Sequence, residues 1–182
     1  LNPQDRKQQN LTATYEALLQ LMSQKPLTDI SITELCQHAH VSRTYFYRNF
    51  TSFDQIILAY QEQAMLEYLH KLPHQSQLNL STFMTHYFTL MQQMASTNQL
   101  LINNGKLNII IESFQTVNTL LLKQERIPKH SKTIQRPYYL AYFSGAVVNV
   151  LTTWLQNGMV ETPQYLGQLV ASFATRQNHS DK

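Results

Sequence analysis

The chain has 182 residues, 43% of them hydrophobic and only 14% charged, with a formal net charge of +3. That is enough apolar material for a real core and excludes a disordered chain; amides, 21 Gln and 12 Asn, stand in for the missing charge. One Cys excludes a disulfide framework and leads us to expect a reducing, cytoplasmic setting, and four Gly with six Pro leave little room for a turn-rich β-sandwich.

The first ten residues hold no apolar stretch of the kind a secretion signal needs, so no targeting segment is expected. Leu11, Tyr15, Leu18, Leu19 and Met22 recur at helical spacing and predict an amphipathic helix. It should stop before Lys25-Pro26, because a residue preceding proline is pushed out of the α region. Ser31 with Glu34, and Ser52 with Gln55, have the hydroxyl-x-x-Glu/Gln spacing of capping boxes that open two further helices. Between them Ser42 is placed to cap another. Four helices with short connections are expected in about the first seventy residues.

Leu80, Phe83, Met84, Tyr87, Met91 and Met94 form the next stripe, and Ile110, Phe114, Val117 and Leu121 another, with Asn103-Asn104-Gly105 between them. Residues 123–136 look like a loop, with five Lys/Arg against one Glu. A solvated connection is the ordinary account of such a segment; an anionic partner is the other. Helical pattern returns at Pro137 and ends at Asn157-Gly158, where Gly suits a left-handed residue. Thr162-Pro163 then caps a last helix carrying Leu166, Leu169, Val170 and Phe173. Residues 137–160 lack charge, but Ser144, Asn149, Thr152, Thr153, Gln156 and Asn157 interrupt them. No run approaches the ~18 unbroken apolar residues of a spanning helix, so no membrane partner is expected. The predicted fold is all-α.

Residues 31–50 read Ser-Ile-Thr-Glu-Leu-Cys-Gln-His-Ala-His-Val-Ser-Arg-Thr-Tyr-Phe-Tyr-Arg-Asn-Phe. Two short helices meet at a tight turn over residues 39–42, with Leu35, Ala39, Val41, Phe46 and Phe50 spaced to share one small core. This is the helix-turn-helix pattern, whose second helix enters a major groove with its first residues foremost. Arg43, Thr44, Tyr45, Tyr47 and Arg48 lie at that end. Arg donates bidentate bonds to guanine, Thr touches a thymine methyl, and Tyr hydroxyls reach phosphates. Ser31 heads the preceding helix, a position suited to a phosphate. Tyr45 has a second reading as a packing residue of the head, and Phe53 is either core or an exposed contact. Cys36 and His40 would pair as metal ligands only if the helix ran through the turn, so no metal is expected.

The segment 30–56 resembles the helix-turn-helix of the tetracycline-repressor (TetR/AcrR) family of transcription regulators. The matching stretches are Ile30-Ser31-Ile32, Ala39-His40-Val41-Ser42, Phe46-Tyr47-Arg48-Asn49-Phe50 and the Ser52-led helix start. Residues 138–170 are similar to a C-terminal type common in Gram-positive members, on Trp154-Leu155-Gln156-Asn157-Gly158 and Thr162-Pro163. The resemblance implies a helix-turn-helix DNA-binding domain over 1–54 and a ligand-binding and dimerisation domain over 55–182. It implies a homodimer on a double-stranded DNA operator, released by a small-molecule effector. Ser31 and Tyr47 match phosphate-holding positions and Arg43, Thr44, Tyr45 and Arg48 groove-facing ones, with Thr33 and Ser42 completing the DNA-facing set. Two positions depart from the family's pattern. His40 stands where Gly is usual, and a left-handed turn costs a non-Gly residue about 1 kcal/mol. Phe53 stands where Lys is usual, which removes a phosphate contact. Residues 1–55 also carry five basic against five acidic residues, a neutral head where a DNA reader is expected to be basic.

In the second half His86, Tyr87, Met91, Phe114, Tyr139 and Tyr142 are candidates for an effector pocket, although helical spacing makes such residues core by default. Phe143, Val147, Val150 and Trp154, with Leu166, Leu169 and Phe173, are candidates for a four-helix dimer seam. No catalytic grouping, phosphate loop or cofactor motif is present, so neither enzymatic activity nor a cofactor is expected. The rival to a ligand-released repressor is a co-regulator of the same fold that works through a protein partner.

Overall fold

A computed structural model describes residues 2–70, 79–126 and 136–175. The described residues form nine α-helices and one 3₁₀ turn, with no strand: α1 (Pro3–Met22), α2 (Ile32–His38), α3 (Arg43–Asn49), α4 (Phe53–His70), α5 (Leu80–Gln93), α6 (Ala95–Asn103), α7 (Leu107–Lys123), α8 (Tyr139–Gln156) and α9 (Pro163–Thr175). None is long and apolar enough to cross a membrane. Much of the basic segment 123–136 lies outside the described residues. Two compact units emerge, one of Leu1–Ala64 with Gln99–Ser113 and one of Met65–Asn98 with Phe114–Lys182. The boundary expected after residue 54 falls inside the first.

In the first unit α1 begins well before its apolar stripe, because Asn2 accepts the Gln4 amide and Pro3 takes the first helical position. Its buried face, Leu11, Thr14, Tyr15, Leu18, Leu21 and Met22, follows the helical period. Tyr15 stacks on Tyr60, ring centroids 3.8 Å apart. Ser31 caps α2 through the Glu34 amide at 3.1 Å, while the Glu34 carboxylate also reaches Lys25 Nζ at 2.7 Å. Lys25 thereby holds that carboxyl below its ordinary value. The stabilisation is present above the ordinary carboxylate pKa and is lost as pH falls through the depressed one.

α2 ends in a left-handed residue, His40 at φ 52°. The Val41 amide bonds back to the Cys36 carbonyl at 3.0 Å and the His40 amide to that of Gln37 at 3.3 Å, which closes the last turn. Around that turn Leu35, Cys36, Ala39, Phe46 and Phe50 are buried. The Phe46 ring meets Phe50 at 5.9 Å and Phe53 edge-on at 6.2 Å. Burying a side chain of this size contributes about 3 kcal/mol.

In the second unit, Asn79 caps α5 through the Thr82 amide at 2.8 Å. The stripe drawn as one helix from Leu80 to Met94 is followed by a break: Met94 leaves helical geometry at φ −100°, ψ 18°, and α6 starts at Ala95. Buried Asn98 fills the corner, its amide nitrogen 3.4 Å from Met91 Sδ. α8 starts at Tyr139 after a left-handed Tyr138, two residues later than the pattern suggests. It closes at Gly158, φ 80°, with the Met159 amide bonding to the Trp154 carbonyl at 2.9 Å. Trp154 then donates its indole N–H to the Glu161 carbonyl at 3.1 Å, and Thr162 caps α9 through the Tyr165 amide at 3.2 Å.

α9 lies against α5 at a crossing made close by Gly167. A Cβ there would sit 2.6 Å from the Thr85 backbone nitrogen and press into its hydroxyl. Gly167→Ala should therefore lower the stability of the folded chain by about 1–3 kcal/mol, because backbone cannot retreat as a flexible side chain can. Gly145→Ala, where a Cβ meets nothing within 4 Å, should leave the chain as stable or slightly more so. Chemical denaturation of the two variants checks both signs.

Candidate nucleic-acid interface

α3 is short and its cap sets its orientation. Ser42 accepts the Tyr45 amide at 3.0 Å, so its hydroxyl serves the helix itself. Phe46 is the buried anchor, and the rest of the helix turns outward around it. Arg43, Thr44, Tyr47 and Arg48 are exposed, as are Ser31 and Thr33 at the start of α2. The Arg43 guanidinium lies over the Tyr47 ring, 5.9 Å from its centroid, which holds a long side chain at one end of the helix. Tyr45 is half-buried, edge-on to Phe50 at 5.9 Å, and burial pushes its hydroxyl pKa up. The contact with Phe50 is the packing role expected of its ring. Phe53 is half-buried against Phe46.

The flank of α3 borders an open groove of about 470 Å³, lined by Pro3, Arg6, Lys7 and Asn10 of α1 with Ser42, Thr44, Tyr45, Arg48 and Asn49. Arg6, Lys7 and Asn10 carry no motif signal, and Asn49 entered only as part of a matching stretch. What could have marked the α1 residues is charge on the turns that precede its apolar stripe.

Among the described residues, the effector candidates fall at different places. His86 and Tyr87 line a void of about 10 Å³ with Met65, Tyr68, Leu69, Phe83, Leu90 and Val117. Tyr139 and Tyr142 line a different groove, of about 150 Å³, between α8 and α9. Met91 and Phe114 are fully buried, and Phe114 is ringed by Tyr87 at 4.9 Å, Phe143 at 6.1 Å and Phe83 at 6.2 Å. The Tyr87 hydroxyl is buried without a hydrogen-bond partner among the described residues, and burial raises its pKa. Burial also lowers the pKa of His86, whose Nδ1 is 3.4 Å from the Tyr68 hydroxyl.

Of the dimer candidates, Phe143, Val147, Val150 and Phe173 line the α8–α9 groove. Trp154 and Leu166 are buried within the unit, and Leu169 is half-buried. Trp154 sits edge-on to Phe88 at 5.9 Å. Tyr142, 64% exposed, and Phe173, 55% exposed, keep the groove's rim apolar and open.

A sequence profile for a transcriptional regulator C-terminal region, of the TetR type, matches residues 78–176, more than half the chain. The chain belongs to the TetR family of transcription regulators. Among solved structures its fold is similar to Lin0861 from Listeria innocua, at a TM-score of 0.71 and 21% identity, over 98% of this chain and 96% of that one. It is also similar to a chain described as the dihydroxyacetone kinase operon activator DhaS, at a TM-score of 0.57 and 12% identity, over 92% and 95% of the two. At these identities the likeness is one of fold. No curated protein matches the sequence.

In this TetR-family chain the cap and any nucleic-acid contact of Ser42 are separable. Ser42→Ala should lower stability by about 1 kcal/mol, while Ser42→Gly should lose only a few tenths, because Gly tolerates the cap position. Thermal unfolding of the pair distinguishes a hydroxyl needed by the helix from one whose loss leaves the fold untouched.

Proposed function

We propose that the protein is a sequence-specific DNA-binding regulator, a homodimeric repressor released by a small-molecule effector. The observation that carries this reading is the exposed, capped face of α3, with Arg43, Thr44, Tyr47 and Arg48 outward and Phe46 locked beneath. Arg43 and Arg48 supply the bidentate donors for base edges, and Tyr47 with Ser31 and Thr33 holds phosphates.

Pairing through the apolar α8–α9 groove places two such helices on one duplex. They engage successive major grooves when about 34–36 Å apart. The effector acts in the second unit beside Tyr87, whose unpartnered hydroxyl offers it a hydrogen bond among apolar walls. A void of about 10 Å³ holds one water at most. An effector therefore enters only by moving α5 and its neighbours apart, and that requirement couples its binding to a change of state.

A second reading is a co-regulator that reaches DNA through a partner protein. Two observations favour it: Phe53 packs on Phe46 where the family's usual Lys would meet a phosphate, and aromatic rings fill the interior around Phe114. The operon-activator description of one fold relative also leaves activation as the sign of its action.

Selection from a random duplex library separates the two. The DNA-reading dimer should enrich a two-fold symmetric site with half-sites about 10 bp apart. Arg43→Ala should weaken that site by about five- to 150-fold for each half-site and relax preference at one base position per half-site. Enrichment of no sequence, or an Arg43→Ala variant with unchanged preference, contradicts the assignment.

A further inference from the structure

We infer that the first two turns of α1 form a second DNA-contacting element, in which Arg6 and Lys7 bind backbone phosphates of the duplex that α3 reads. This inference rests on the DNA-reading function proposed above.

Pro3, Arg6, Lys7 and Asn10 recur at i, i+3, i+4 and i+7, one side of α1. Further along the helix that side becomes the buried stripe of Leu11, Thr14, Leu18 and Leu21. The face thus changes from cationic to apolar where the helix passes from open groove to core. In the groove it lies beside α3, so Arg6 and Lys7 share one concave surface with Thr44, Tyr45, Arg48 and Asn49.

Charge pairing sharpens the arrangement. The five basic and five acidic residues of positions 1–55 cancel in the sum. In the fold Lys25 is taken by Glu34, and Asp54 by Lys106 of the same unit at 2.6 Å. Arg6, Lys7 and Arg48 have no carboxylate within ion-pair distance among the described residues, and no Asp or Glu lines their groove. Three like charges around one concavity repel one another until an anion fills it. A duplex whose major groove accepts α3 carries its phosphates past the flanks of that helix, where the groove shared with α1 opens. The phosphate strand is therefore the anion that reaches Arg6, Lys7 and Arg48 together. The neutral sum of the head conceals a positive face.

The test is fluorescence anisotropy of the full chain and of Arg6→Ala/Lys7→Ala, with the selected site and with an unrelated duplex, across a salt series. The double variant should bind both duplexes about ten- to hundredfold more weakly at low salt, and keep its preference between them. The log–log salt slope should be shallower by about 1.8 per protomer, about 3.6 for the dimer, because each protomer neutralises two fewer phosphates. The charge-preserving Arg6→Lys/Lys7→Arg should restore the slope. Because both side chains are exposed, thermal stability should not change, which excludes unfolding as the cause. If the wild-type chain binds but the double variant keeps the wild-type slope, this inference is overturned and the α3 reading stands. A wild-type chain that binds neither duplex overturns both.

Discussion

The left-handed turn at His40 is the constraint on which the rest of the first unit depends. By ending α2 with two backward amide bonds, it redirects the chain within two residues, so that Ser42 can cap α3 and Phe46 can drop into the core. Only with Phe46 buried do Arg43, Thr44, Tyr47 and Arg48 share the outward side of a seven-residue helix. A helix that short has little stability of its own, and tertiary packing has to supply it. The turn adopts this geometry with His rather than Gly, at a cost of about 1 kcal/mol. The Leu35–Phe46–Phe50 cluster offsets it.

The second unit solves a different problem. α8 is apolar on most of its circumference, so one side packs inward on an aromatic network. There Phe83, Tyr87, Phe114 and Phe143 make ring contacts in series, and Trp154 anchors Phe88 and the turn to α9. The other side leaves Tyr142, Val150 and Phe173 around an open groove. Under the proposed ligand-released function, the ring packing around Phe114 means that an effector beside Tyr87 acts by rearranging these helices. The Tyr87 hydroxyl, without a partner among the described residues, is where such a rearrangement would gain a hydrogen bond.

Legibility in the sequence followed the strength of local signals. The caps at Ser31, Ser42, Ser52 and Thr162 and the Gly158 stop each rest on one residue type at one spacing, and each occupies that role in the fold. The break at Met94 has neither Gly nor Pro to announce it; buried Asn98 makes the corner, and a lone Asn in an apolar stretch carries no such signal. The first turns of α1 were hidden for the opposite reason, since periodicity sees only apolar residues and Arg6 and Lys7 are not. The candidate pocket divided because Tyr139 and Tyr142 belong to the α8–α9 groove, whereas Met91 and Phe114 are enclosed by the core. Helical period reports that a face is covered, not what covers it.

The central claim is that this chain alone reads duplex DNA through α3. Its most direct measurement is titration of the purified protein, with no other protein present, into labelled DNA from upstream of its own gene and into an unrelated duplex, at several salt concentrations. The account predicts saturable binding that favours the upstream DNA and weakens linearly on a log–log salt plot. Equal, weak affinity for both duplexes at low salt, with preference appearing only when a second protein is added, would contradict it.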